Sequence, residues 1–84
     1  MEVILDCRAF TSREATHRYL KQQFGFFDGY GCNLDALYDC LTDLGPCSIT
    51  LAYPWALSAL GEYALPLLET FLDAAQANPN LTLK

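Results

Sequence analysis

Three short apolar segments, EVILD (2–6), CSITLAY (47–53) and LTLK (81–84), are separated by long stretches whose apolar residues recur at helical spacing. Hairpins need only a short turn between strands, so this spacing excludes them. Strands joined through helical crossovers run parallel instead. The expected fold is therefore α/β, a three-stranded parallel sheet packed against helices in the order β-α-α-β-α-α-β, built by residues 1–84 as one domain.

Each connecting stretch divides in two. Thr11 with Glu14 fits an S/T-x-x-E capping box. The helix it opens turns Ala15, Tyr19, Leu20 and Phe24 inward and carries Arg13, Arg18 and Lys21 on its outer face, until Gly25 stops it. GFFDGYGC (25–32) reads as a loop. Asn33 suits the N-cap of a second helix reaching about Asp43, with Leu34, Leu37 and Leu41 as its apolar stripe. Pro54 opens a short helix closed by Gly61. Pro66 starts the last helix, with Leu68, Phe71, Leu72 and Ala75 facing inward, and NPN (78–80) breaks it. Phe26, Phe27, Phe71 and Trp55 are assigned to the core, and His17 to the surface.

Charge narrows the function more than composition does. The net charge is −5, yet no Lys or Arg occurs between residues 22 and 83. That span carries Asp28, Asp35, Asp39, Asp43, Glu62, Glu69 and Asp73. Nucleic-acid binding needs the opposite sign, because Lys and Arg neutralise the phosphates. An anionic membrane surface would repel the chain, and the longest mostly apolar run, LAYPWALSALG, is too short to span a bilayer. A basic protein partner is the complement. The start, Met1-Glu2, lacks a basic region followed by an apolar run, so a cytoplasmic location is expected. In that compartment Cys7, Cys32, Cys40 and Cys47 are expected as reduced thiols, and with His17 they match no common zinc spacing. Neither metal nor cofactor is expected, and the free chain is expected to be a monomer.

Asp35, Asp39 and Asp43 stand four residues apart, and like charges at that spacing weaken a helix by about 0.2–0.5 kcal/mol per pair. A solvated helix face is the plain reading of such a stripe. A general acid and base pair is another, but it requires a desolvating pocket that an amphipathic helix does not supply. No nucleophile elbow, P-loop or dinucleotide fingerprint occurs, so the chain is expected not to be an enzyme. Tyr30 and Tyr38 lie beside these carboxylates, and tyrosine is enriched at protein interfaces.

The segment YGCNLDALYDCLT (30–42) resembles the core motif of the barstar family of intracellular ribonuclease inhibitors, Y-G-x-N-L-D-A-L-W-D-C-L-T. The match covers Tyr30, Gly31, Asn33, Leu34, Asp35, Ala36, Leu37, Asp39, Cys40, Leu41 and Thr42, and weaker collinear similarity spans nearly the whole chain. The resemblance implies a protein that plugs the active site of a small basic ribonuclease with the acidic helix and the loop before it. Asp39 would stand where a substrate phosphate does, facing the enzyme's Arg and His side chains. Asp35 would meet the basic rim, and Gly31, Asn33 and Leu34 the recognition loops. Asp73 would add a peripheral contact.

The chain also departs from the family pattern. Gly29 replaces a tyrosine that packs on the enzyme's catalytic histidine, leaving that anchor to be lost or supplied by Tyr30 or Phe27. Tyr38 replaces a tryptophan, Asp43 replaces a glycine, and the LGPC connection (44–47) is shorter. Barnase and the toxic ribonuclease domain of a secreted bacterial effector are both targets in keeping with this. Two other readings stand beside the inhibitor: an interaction module for a basic non-nuclease protein, and a minor hydrolase using Asp35 and Asp39.

Overall fold

Polar and apolar residues alternate along the central strand, and that alternation decides which face of the sheet is covered. In the computed structural model, which describes residues 1–84, the strands are β1 (Glu2–Asp6), β2 (Cys47–Ala52) and β3 (Leu81–Leu83), parallel and in the order β1-β2-β3. Val3 pairs with Ile49 and Ile49 with Leu83, while Glu2 pairs with Ser48 and Ser48 with Thr82. Since side chains alternate across a strand, the first row faces the helices and the second faces outward. The parallel sheet is thus helix-covered on one face only. Its outer face is polar along β2 and is crossed by a Lys84–Glu2 ion pair of 3.1 Å. EVILD is accordingly not buried on both sides: Val3 and Leu5 are, but Ile4 is 65% exposed.

Between the strands lie α1 (Arg13–Phe24), α2 (Leu34–Thr42) and α3 (Ala64–Ala77). The first of the two helices expected between β2 and β3 is a 3-10 run, Pro54–Tyr63, kinked at Gly61, and a short 3-10 turn, Cys7–Ala9, precedes α1. Ser12, not Thr11, caps α1, its hydroxyl accepting from the Ala15 N–H at 3.0 Å. Gly25 ends that helix in the left-handed region (φ 68°), where a side chain would be strained. α3 begins at Ala64, two residues before Pro66; of the expected stripe Phe71 is buried and Leu68 and Ala75 pack half-buried on the core, but Leu67, Thr70 and Ala74 complete the buried face and Leu72 is exposed.

The inner face of the sheet and the three helices enclose one cluster in which Leu5, Phe10, Leu20, Leu37, Leu41, Ile49 and Leu67 are fully or almost fully buried. Buried polar groups are all partnered. The Thr16 and Thr70 hydroxyls donate to the carbonyls of Ser12 and Pro66 one turn earlier. Tyr19 Oη accepts from the Asp6 N–H at 2.9 Å, fastening α1 to the end of β1.

Asn78 ties two elements that are distant in sequence. Its side-chain amide donates to the carbonyls of Leu41 and Leu44, each at 3.0 Å, so the turn after α3 closes the C-terminal end of α2. Its carbonyl oxygen accepts from the Asn80 N–H at 3.0 Å. Removing the amide leaves the half-buried Leu44 carbonyl without this donor, and the Leu41 carbonyl with only the backbone N–H groups of its own turn, at about 1–3 kcal/mol for such a loss. Asn78→Ala is expected to lower unfolding stability by roughly 2 kcal/mol, while Asn80→Ala, at an exposed side chain, stays within about 0.5 kcal/mol. Urea titration of both variants checks this, and equal shifts would remove Asn78 from its role.

Candidate functional site

The acidic face of the chain is carried by α2, and its position follows from constraints at both ends. At the start, the Asn33 side chain accepts from the Ala36 N–H at 2.8 Å and donates to the Gly31 carbonyl at 3.2 Å, which folds the loop onto the helix N-terminus. Cys32, just before the cap, takes a left-handed backbone (φ 52°), uncommon for a residue with a side chain. At the far end Asp43 is the C-cap, one residue beyond the helix. Leu37 and Leu41 are fully buried on the inner face, which turns Asp35 and Asp39 outward.

None of Asp35, Asp39 and Asp43 has a salt bridge: the three in the molecule join Arg8 to Asp6, Lys21 to Asp28 and Lys84 to Glu2. All three aspartates are exposed, as is Asp73 on α3. Nothing in the fold answers this charge. The first-turn Asp35 is favoured by the helix dipole, whereas Asp43 at the opposite end is not. The bases gather instead on the outer face of α1, where Arg13 sits 4.4 Å over the Tyr63 ring. Arg13 and Asp35 border the same shallow cleft, with Cys32, Asn33 and Leu34, but do not pair.

A second cleft, of about 160 Å³, brings Gly29, Tyr30, Gly31 and Asp39 together with Phe27, Ala36 and Cys40. Tyr38, Asp43 and Asp73 border neither cleft. Phe27 is 67% exposed here, against its assignment to the core, and Trp55 on the 3-10 run is 71% exposed. Phe27 stands in a loop and Trp55 in the first turn of a short 3-10 run, and apolar character alone says little about burial in either place. Tyr38 is half-buried against the core.

Tyr30 is only 6% exposed and is a support of this surface rather than an open contact. Its ring packs on Phe26, with centroids 4.9 Å apart. Its hydroxyl meets His17 Nδ1 at 2.7 Å, and His17 Nε2 meets the Tyr63 hydroxyl at 2.7 Å. His17 is therefore a buried bridge, 1% exposed, between the loop before α2 and the end of the 3-10 run, not a surface residue. A neutral imidazole donates through one nitrogen and accepts through the other, and a phenol can answer either, so this chain is fully satisfied. The signal in the sequence was the pair Tyr30 and Tyr63, which supplies partners for both ring nitrogens, but only the fold brings them to His17.

Burial lowers the His17 pKa below its usual value and raises that of the Tyr30 phenol. Burial first, and then the Asp39 and Asp43 carboxylates, raise the Cys40 thiol, which stays protonated in the cleft. For His17 the depressed value means that the unfolded chain takes the proton first as pH falls through about 6.5. Its contribution to stability is present above that pH and is lost as pH falls toward the lowered native value. The urea midpoint of the wild type should decline from about pH 7.5 to 5.5, and the decline should be shallower in His17→Gln. Parallel profiles for the two proteins would refute this linkage.

Two comparisons with known proteins bear on the site. Residues 1–82 match the sequence profile of the family described as Barstar (barnase inhibitor). The chain is also 38% identical over 78 residues to a Bacillus subtilis (strain 168) protein named "Putative ribonuclease inhibitor YrdF", an alignment covering 89% of this chain and 86% of that protein.

Proposed function

The chain belongs to the barstar family, and from that premise we propose that it inhibits a small basic bacterial ribonuclease by seating α2 and the loop before it in the active site. The observation that carries the reading is the exposed pair Asp35 and Asp39, free of any intramolecular cation, on a helix fixed at both ends. A ribonuclease binds a polyanion, so its catalytic cleft presents cations spaced for phosphates. Asp39 stands in for a phosphate there, and Asp35 meets the surrounding bases. Gly31, Asn33 and Leu34 face the enzyme's recognition loops, Tyr38 and Asp43 extend the contact along α2, and Asp73 adds a peripheral one. The chain acts as a competitor for the substrate site and does no chemistry of its own. The names of the family and of the Bacillus relative support the same direction.

Rigid placement favours such a ligand. A helix already ordered before contact loses less entropy on binding than a flexible acidic tail would. The uncompensated charge also steers encounter over distances set by ionic strength, since the Debye length falls from about 30 Å at 0.01 M salt to about 3 Å at 1 M.

The test is inhibition of a panel of basic bacterial ribonucleases, barnase and effector-borne toxin domains among them, followed by binding to whichever member is inhibited. Asp39→Ala is expected to weaken that complex by roughly 2–5 kcal/mol, because the partner's cation is left buried and unpaired. That range is general for desolvated charge pairs, and the barnase–barstar interface is itself one of its sources rather than an independent check. Glu62→Ala, far along the chain on the 3-10 run, should change affinity by no more than about threefold. Equal effects of the two substitutions would rule out the interface described. The association rate should also fall steeply with added salt, and a flat dependence would remove steering from the mechanism.

A further inference from the structure

Opposite charges meet beside the start of α2 without pairing. Asp35 borders one cleft with Arg13 and Cys32, and no ion pair joins the acid to the base. Arg13 and Cys32 also border a second cleft, of about 510 Å³, with Glu14, Arg18 and Lys21 of α1. The basic surface is therefore continuous with the acidic one. Glu14, Arg18 and Lys21 follow at spacings of four and three residues and share one helix face. Arg18 is exposed and has no carboxylate partner, while Lys21 reaches only Asp28, at 3.4 Å. The Arg13 guanidinium lies 4.4 Å from the centre of the Tyr63 ring, and the Tyr63 hydroxyl is tied to His17 Nε2 at 2.7 Å. Stacking occupies the face of a guanidinium and leaves the N–H groups of its edge for a carboxylate. Three bases against one acid make this cleft cationic in a chain whose net charge is −5. For steering toward a basic enzyme such cations are a handicap, and the acidic motif does not account for them.

We propose that the interface has two signs: Arg13 and Arg18 receive carboxylates of the same ribonuclease, next to the basic cleft that takes Asp35 and Asp39. This contact rests on the inhibitor reading and narrows it to enzymes with an acidic rim beside the active site. Arginine suits the role, because its planar fork gives a carboxylate two parallel hydrogen bonds. Discrimination then works by repulsion as well as attraction. An enzyme whose rim is basic at that place would meet Arg13 and Arg18 across the contact, and like charges so placed reject it. RNA is the other anion that three bases could hold. Glu14 within the cleft and Asp35 beside it oppose a polyanion, which favours the carboxylates of a protein. Arg13 and Arg18 are specificity residues of the contact, and Tyr63 positions Arg13.

The sign of a charge reversal separates this contact from simple steering. Affinity is measured for the panel ribonuclease that the wild-type chain inhibits. Arg18→Glu and the double variant Arg13→Glu/Arg18→Glu make the chain more acidic, so steering alone would have them bind a basic enzyme faster and no less tightly. The expected result is the reverse, about fivefold weaker binding for Arg18→Glu and at least about thirtyfold for the double variant. Lys84→Glu makes the same charge change on the outer face of the sheet and should not weaken binding. Arg18 is exposed, so the single variant keeps the test if the double one folds poorly. A partner-independent arm titrates two capped peptides of one composition, the block sequence EEEGGKKK and the alternating EKGEKGEK, followed by NMR. The block peptide should bind several-fold tighter and shift the Arg18 and Asp35 amides together, and its advantage should vanish in Arg13→Glu/Arg18→Glu. Undiminished affinity in both arginine variants, or equal binding of the two peptides, overturns the proposal. So does a single-stranded RNA oligonucleotide that binds the wild type and not the double variant. Loss in Asp39→Ala with none in the arginine variants overturns it alone, whereas loss in neither removes the proposed seating of α2 as well. If no panel member is inhibited, the peptide comparison still decides whether the surface has two signs.

Discussion

Burial of Leu37 and Leu41 is the interaction on which the rest of this surface depends. Asp35, Asp39 and Asp43 repel one another by a few tenths of a kcal/mol per neighbouring pair, and Asp43 also opposes the helix dipole. Against this, each fully buried leucine contributes about 1.5–3 kcal/mol, and the Asn33 cap roughly 1 more. The apolar face therefore outweighs the strain on the polar one several times over. A short helix that would be marginal alone becomes a stable platform for unneutralised charge.

The two ends of that platform are secured by elements far away in sequence. Asn78 reaches the C-terminal carbonyls of α2 from the turn after α3. The loop at the other end is held through Tyr30, His17 and Tyr63, so the 3-10 run takes part in fixing the site, and Tyr63 at its end also borders the cleft beside Asp35. This division also keeps the charges apart. On α1 Arg13 is stacked on Tyr63 and Lys21 pairs with Asp28, and Asp35 remains free although Arg13 borders the same cleft. The result is a molecule with a basic flank and an acidic face, the arrangement that orients an encounter with a basic partner.

Where the sequence reading and the structure part, the physical cause can be named in each case. Ser12 and Thr11 are both competent caps, and the choice fell to the residue whose placement buries Thr16, His17, Leu20 and Phe24 together. α3 starts before Pro66 because a proline in the first turn lacks only an N–H that would be unpaired anyway. Its buried face centres on Leu67, Thr70, Phe71 and Ala74, with Leu68 and Ala75 at its edge and Leu72 outside. His17 looked like a surface residue among basic neighbours, but helical phase turns it inward with Leu20 and Phe24 while Arg18 points out. Phe27 lies in a loop without periodicity and Trp55 in the first turn of a short 3-10 run, so only the packed structure could place them.

The sequence by itself determined the order of the elements, the parallel sheet, the caps at Asn33 and Gly25, and the acidic motif with its family. These are local or periodic signals, written in spacings of two, three or four residues and in the separation of the strands. Only the tertiary structure decided that one face of the sheet stays open and that Tyr30 serves from beneath the surface. The same is true of His17 and Asn78, which hold the ends of α2, and of Phe27, which borders the cleft beside Asp39. Those outcomes join residues from distant parts of the chain, and whether such groups meet depends on how the helices pack on the sheet, which no local pattern encodes.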